Sequence, residues 1–273
     1  MVLICVFDIE TVPDVALLEQ VHGYSGDPLS ICQQAFDAQE KKTSSSFLPL
    51  CFHRVVSIAS VIAEDSCKFT KVGCFAKAAN LEEREEAVLR DFCTFLNRKN
   101  PRLVSFNGRG FDLPLVALRA LKYNLPLSAY YEVDNPMAGK TKWDNYRYRY
   151  SEKFHLDLFD LLGGGQARGL SLDSVCKMAG IMGKHEVSGE QVFSLILDKG
   201  DLAAVDFYCQ SDVINTYWLF LKLELSRGTL SLEAYLENLT MLKDGLPPDA
   251  PYKQPLISSL DMELQRYKGQ PCG

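Results

Sequence analysis

Two carboxylates near the start of the chain are the residues whose type and spacing point most directly to chemistry. Asp8 and Glu10 follow an apolar run at residues 2–7, which predicts a buried strand. Side chains alternate along a strand, so both acids should share one face. A hard divalent cation would relieve their repulsion, because Mg²⁺ and Mn²⁺ prefer carboxylate oxygens. The alternative is a solvated pair on an edge strand, and this segment alone favours neither.

A third acid, Asp112, stands where a predicted strand and a Gly-rich turn at residues 103–111 run into a helix. The apolar residues that follow recur at helical spacing. Asp is also a common N-cap. Taken alone, the position therefore favours a helix cap over a metal ligand.

Tyr208 and Asp212 belong to a long helix predicted from about residue 201 to 226. They are four residues apart and so share one helix face. An Asp beside Val213 in mid-helix costs free energy unless it is paired or bound to a metal. The alternative is a solvated face that carries a Tyr–Asp hydrogen bond.

Together these segments resemble the DEDD superfamily of 3′→5′ exonucleases, in its Tyr-containing subclass. The nearest resemblance is to the bacterial group of predicted exonucleases related to the proofreading domain of family B DNA polymerases. Residues 7–11 match the first motif, residues 106–112 the second and residues 208–212 the third. The resemblance extends to about residue 225 and weakens within two segments that look like insertions.

The resemblance implies a fold, a cofactor and roles for particular residues. The fold would be ribonuclease H-like (DnaQ-like), with a mixed sheet flanked by helices, and the cofactor two divalent ions, Mg or Mn. The catalytic residues would be Asp8, Glu10, Asp112, Tyr208 and Asp212, of which the four acids would bind the metals. Thr11 and Asn107 would contact the terminal nucleotide. Asp157 is a candidate to contact the metal ligands and hold them in position. An equally plausible role for Asp157 is that of a turn residue at the end of a strand.

The order of predicted elements gives an α/β fold independently of the resemblance. Strands are predicted at residues 2–7, 54–63, 66–76, 102–106 and 155–159, and helices at 81–97, 113–123, 171–179, 189–198 and 201–226. Strands first, then strands alternating with helices, imply a mixed sheet. Asn80 and Asp201 are predicted N-caps. Residues 1–226 would form the exonuclease domain, with insertions at about 23–50 and 133–153. Residues 227–273 would add a C-terminal helix and a Pro-rich extension, loosely docked on the same domain after about residue 244.

The second insertion interleaves cations with aromatic residues. Lys140, Lys142, Arg147, Arg149 and Lys153 stand among Trp143, Tyr146, Tyr148 and Tyr150. Such a mixture suits a nucleic acid single strand, because cations attract phosphates and aromatic faces stack on bases. If the segment is a strand, Arg147 and Arg149 form one basic face. Lys142, Trp143, Arg147 and Arg149 are therefore candidate substrate-binding residues. The alternative is a solvated hairpin whose tyrosines pack on the core.

Composition narrows the classes of protein. The chain has 273 residues, 47% of them apolar, enough for one large core. Its nine cysteines form no Cys-x-x-Cys pair, which favours reduced thiols in the cytoplasm. We expect neither a membrane span nor a signal peptide. A net charge of −6 disfavours a high-affinity duplex binder but suits an enzyme that holds a few nucleotides at a strand end.

The sequence thus predicts a metal-dependent 3′→5′ exonuclease that acts on single-stranded DNA ends. An exoribonuclease with the same chemistry stays open, since no residue signals a contact to a 2′-hydroxyl. A catalytically weak nucleic-acid-binding module is the other alternative. It is disfavoured because an unused carboxylate cluster is electrostatically costly.

Overall fold

Five strands form one mixed sheet in the order β3-β2-β1-β4-β5. The computed structural model describes residues 3–76, 80–163, 169–183, 193, 195–197 and 199–267. The strands are β1 (Leu3–Pro13), β2 (His53–Glu64), β3 (Phe69–Cys74), β4 (Arg102–Ser105) and β5 (His155–Asp157). β1 is antiparallel to β2 and parallel to β4. The predicted mixed sheet is confirmed, although β1 extends well beyond residue 7 and β5 ends two residues early.

Helices cover both faces of the sheet. They are α1 (Val15–His22), α2 (Pro28–Thr43), α3 (Leu81–Lys99), α4 (Asp112–Lys122), α5 (Ser128–Tyr131), α6 (Leu158–Gly163), α7 (Leu172–Met178), α8 (Leu202–Ser226), α9 (Leu232–Asp244) and α10 (Lys253–Arg266). Both predicted N-caps are confirmed, because Asn80 accepts from the Glu83 amide and Asp201 from the Ala204 amide. The helix predicted at 189–198 lies largely outside the described residues. Among the helices of the described chain, none is both long and apolar enough to cross a membrane.

β1 lies in the middle of the sheet and is buried on both faces. Cys5, Phe7 and Ile9 pack in one hydrophobic cluster with side chains of α3 and α4. Ile4 and Val6 pack in a second cluster with side chains of α8. This alternation confirms the period of two predicted for β1. It also places the even-numbered residues of β1, including both acids, on the side of α8.

The C-terminal segment packs firmly on α8. Leu256 and Leu260 of α10 are buried in the same cluster as the apolar side chains of α8. The buried Tyr252 hydroxyl donates to Gln210 Oε1 over 2.9 Å. Loose docking after residue 244 is therefore wrong for the described residues. Among the described prolines of this segment, Pro248 and Pro251 stand at turns and Pro255 stands in the first turn of α10, where a proline does not break a helix.

Candidate active site

The two β1 acids lie under α8. Asp8 is half-buried and Glu10 is buried. Cys209 of α8 contacts the same strand, since its thiol donates to the Asp8 carbonyl over 3.4 Å. Ligand atoms of Asp8, Glu10 and Cys209 all lie within 4.8 Å of one another. Among the described residues, this close group consists of Asp8, Glu10 and Cys209, and it does not include Asp112 or Asp212.

Tyr208 and Asp212 approach the same acids from α8. Both side chains are buried, and the Tyr208 hydroxyl makes a hydrogen bond to the Asp212 carboxylate. Burial raises the pKa of Tyr208 well above its usual value near 10, and the negative charges of Asp212, Glu10 and Asp8 raise it further. Tyr208 is therefore protonated at neutral pH and faces the acids of β1.

Asp112 contacts the backbone of β1 between the two β1 acids. It is the first residue of α4, and Phe111 at the N-cap makes no side-chain cap bond, so Asp112 does not act as the N-cap. Its carboxylate accepts a hydrogen bond from the Ile9 amide, which lies between the two β1 acids. Burial, together with the negative charge of Asp157, raises the pKa of Asp112 from 3.8 to about 7.

Asp157, at the end of β5, organises the turn that precedes α4. Its carboxylate accepts hydrogen bonds from the backbone amides of Asn107 (2.8 Å), Arg109 (2.8 Å) and Phe159 (3.0 Å). Asn107 has a φ of +67°, a left-handed conformation that Asn tolerates better than most residues. Asp157 thus contacts the backbone that leads to Asp112. This geometry matches the strand-end alternative, and Asn107 is exposed.

Thr11 continues β1 past Glu10, where the pairing register with β2 shifts. Its hydroxyl lies 3.2 Å from His53 Nδ1. The His53 ring packs against Phe47 and Phe111, with centroid separations of 4.9 Å and 5.3 Å. Phe47 remains 58% exposed. An aromatic surface therefore borders the acids near Thr11, and sequence reasoning did not identify it.

The basic-aromatic segment is not a regular hairpin. Residues 135–151 form turns with two isolated bridges, so the predicted alternation with one basic face is wrong. Tyr146 is buried because its hydroxyl donates to the Pro101 carbonyl over 2.6 Å. Lys140 is fully buried and donates to the Ala129 carbonyl over 2.6 Å. These two contacts, one of them to a residue 45 positions away, override the local pattern.

Other side chains of this segment remain at the surface. Trp143 is 57% exposed and Tyr150 is 82% exposed. The Tyr148 ring lies between them, 5.3 Å from Trp143 and 5.8 Å from Tyr150. Lys142 Nζ stands 4.9 Å from the Trp143 ring centre. An aromatic row with a neighbouring cation is therefore exposed.

The two predicted arginines differ in their surroundings. Arg149 pairs with Asp160 over 2.7 Å, and the exposed Arg147 lies 5.7 Å from the Tyr131 ring centre. Arg109 connects the segment to the turn before α4, because its guanidinium donates to the carbonyls of Tyr146 and Tyr148. The segment therefore lies near the turn that carries Asp112.

Sequence reasoning also passed over two groups at the centre of the site. Cys209 lies against the β1 acids, and the Ile9 amide donates to Asp112. The position of Cys209 directly after Tyr208 is a signal that could have found it. The role of the Ile9 amide depends on how β1 diverges from β4 after Val6, and no residue type signals that.

Comparisons with known proteins agree with this geometry. The model of a family described as "Predicted 3'-5' exonuclease related to the exonuclease domain of PolB" matches residues 45–258. This range contains the second and third motifs, and the β1 acids precede it. A search among curated proteins found no match.

A solved structure supports the fold. The family B DNA polymerase from the hyperthermophilic archaeon Pyrobaculum calidifontis is similar over 95% of this chain and 27% of the polymerase chain. The identity is 19% and the TM-score 0.51. The chain thus spans about a quarter of that polymerase. The predicted ribonuclease H-like fold, a mixed sheet flanked by helices, is confirmed.

Proposed function

The chain belongs to the family of predicted 3′-5′ exonucleases related to the exonuclease domain of PolB, and on that premise we propose that it is a metal-dependent 3′→5′ exonuclease acting on single-stranded DNA ends. One observation carries the proposal. The Asp112 carboxylate of α4 accepts a hydrogen bond from the β1 backbone between Asp8 and Glu10. On α8, Tyr208 bonds to Asp212 and lies close enough to both β1 acids for their charges to raise its pKa.

The donor set fits hard divalent ions. Asp8, Glu10, Asp112 and Asp212 offer carboxylate oxygens, which Mg²⁺ and Mn²⁺ prefer. These four residues would hold two ions. When bound, the ions would supply a nucleophilic hydroxide and neutralise charge at the phosphate and the leaving 3′-oxygen. The raised pKa of Asp112 agrees with such a site, because a nearby cation would favour its charged form.

Tyr208 would orient the attacking water rather than deprotonate it. Its hydroxyl donates to Asp212, and its pKa lies above the usual range. A general base works best with a pKa near the operating pH, and this phenol is far from that. The hydrogen bond to Asp212 fixes the direction of the hydroxyl. Its oxygen can still accept a hydrogen bond from water, since a phenol is both donor and acceptor.

Substrate contacts would come from two sides of the acids. Thr11 and Asn107 would contact the terminal nucleotide. Lys142, Trp143 and Arg147 would hold the strand upstream, together with Arg149 if a phosphate replaces Asp160 as its partner. The exposed aromatic row and its cations support this part of the proposal, because stacking and charge together hold single strands.

A paired hydrolysis assay tests the proposal. DNA and RNA oligomers of one sequence, labelled at the 5′ end, are incubated with Mg²⁺, Mn²⁺ or a chelator. We expect stepwise shortening of the DNA and mononucleotide products, with none in the chelator. Asp8→Asn, purified in parallel, controls for contaminating nucleases. Faster shortening of RNA would establish the exoribonuclease alternative. Binding without shortening in either metal would establish a nucleic-acid-binding module and refute the nuclease.

A further inference from the structure

A buried polar cluster joins α8 to β2 and α3. Arg84 of α3 is 2% exposed and forms an ion pair with Asp206 of α8. Its Nε also donates to the Val56 carbonyl over 2.8 Å. The Ser57 hydroxyl donates to Asp206 Oδ1 over 2.6 Å. The Asp206 carboxylate is thus held at once by a neighbouring helix and by the sheet.

This cluster adjoins the proposed active site on the same two elements. Ser57 is the cross-strand partner of Glu10, and Asp206 precedes Tyr208 by two residues. Successive residues of an α-helix are rotated by about 100°. Asp206 and Asp212 therefore lie about 60° to either side of Cys209, which contacts the Asp8 carbonyl. Any rotation of α8 that releases Asp206 also moves Asp212.

Apolar burial does little to fix that rotation. Every residue of α8 from 208 to 221 is buried. An amphipathic helix is oriented by its single apolar stripe, whereas α8 presents buried surface on all sides. A buried charge must find its partner. Asp206 meets both Arg84 and Ser57 in the observed rotation, so this cluster discriminates among rotations that apolar burial does not.

We propose that Arg84, Ser57 and Asp206 are positioning residues, which fix the rotation of α8. They thereby hold Tyr208 and Asp212 against the β1 acids. The inference rests on the proposed exonuclease function. The proposal predicts that removal of the cluster lowers activity without lowering stability, because replacing a buried ion pair by apolar groups of similar size is often neutral or stabilising.

The test replaces the whole cluster in the triple variant Ser57→Ala/Arg84→Met/Asp206→Leu. We expect a melting temperature no lower than that of the wild type. We expect kcat to fall by about 10²-fold, the effect of a misplacement near 1 Å. KM should stay unchanged, because none of the three residues belongs to the proposed surface that binds the nucleic acid. A purely structural role would not produce this split.

A second ion pair on α8, between the partly buried Lys222 and the buried Glu263, provides the control. Lys222 pairs with Glu263 of α10, and the Tyr235 hydroxyl also donates to Glu263. Lys222 is ten residues beyond Asp212, about 15 Å along the helix. Lys222→Met/Glu263→Leu should keep the wild-type kcat. An equal loss in both variants would overturn the proposal, because any disturbance of α8 would then suffice.

The remaining outcomes are equally decisive. A folded triple variant with the wild-type kcat overturns the positioning role and leaves the exonuclease function intact. A wild-type chain that releases no nucleotides overturns both. If the triple variant does not fold, Arg84→Gln/Asp206→Asn replaces it, since it removes both charges together and leaves two side chains that can hydrogen-bond to each other. That variant should lose kcat several-fold at constant KM, and an unchanged kcat overturns the proposal.

Discussion

Asp112→Asn should stabilise the metal-free protein, and increasingly so as the pH rises. The pKa of Asp112 is raised from 3.8 to about 7 by burial and by the nearby Asp157. Between these two values the native state holds a proton that the unfolded state has lost. Stability therefore falls as the pH rises through this window, and the full penalty applies above pH 7. Asn carries no charge and keeps an oxygen that can accept from the Ile9 amide.

The magnitude follows from the change in pKa. One pKa step corresponds to about 1.4 kcal/mol, so the rise of about three costs the native state about 4 kcal/mol at pH 8. At pH 5 most of this penalty is absent. The stability difference between Asp112→Asn and the wild type should therefore grow by roughly 3 kcal/mol from pH 5 to pH 8.

Urea unfolding of both proteins in a chelator, at pH steps from 5 to 8, measures this difference. Asp244→Asn is the control, because it makes the same chemical change at an exposed residue, the last of α9. At pH 8, Mn²⁺ at a hundred times its Kd should stabilise the wild type by about 2.7 kcal/mol, and Asp112→Asn by less. A pH-independent difference, or a destabilised Asn variant, would refute the reasoning.

Four further predictions concern Asp8, Tyr208 and the basic-aromatic segment. Asp8→Ala should lower turnover by several orders of magnitude and should raise the melting temperature measured in a chelator. A lower melting temperature would reveal a structural role for Asp8. Tyr208→Phe should lower the single-turnover rate of hydrolysis by about 10²-fold and leave the affinity for Mn²⁺ unchanged. An unchanged rate would mean that Tyr208 serves only in packing. Trp143→Ala should weaken oligomer binding, measured by anisotropy in a chelator, by about 1–3 kcal/mol. Arg147→Gln/Arg149→Gln should flatten the salt dependence of that affinity, and an unchanged slope would make the segment purely structural.

The parts of the fold that the sequence could predict are those governed by local periodicity and capping. Period-two burial along β1 and the helical spacing of Tyr208 and Asp212 both appear in the structure. The N-caps Asn80 and Asp201 were equally readable, because a cap bond joins residues only three apart. Local rules therefore place the main supporting elements of the site.

Contacts between distant residues explain what the sequence could not predict. Tyr146 fits the alternating pattern of its neighbours but is buried by a bond to Pro101, 45 residues away. Arg84 and Asp206 are separated by 122 residues, and neither has a local signature. The C-terminal segment was misjudged because its prolines indicated irregular structure, whereas its contacts to α8 depend on Tyr252 and Leu256. In each case the decisive partner belongs to another element.

A comparison of two buried aspartates shows why the site favours a cation. Asp14 and Asp112 are each 5% exposed. Burial raises the pKa of Asp14, but Arg119 and Lys122 outweigh it, so the pKa is lowered overall. Asp112 lies among backbone amides and beside a second acid, and its pKa rises to about 7. Burial thus acts in the same direction on both carboxylates, and at Asp14 the neighbouring cations reverse it. The chain supplies the cation for Asp14 itself, and the proposed metal ions would supply it for Asp112.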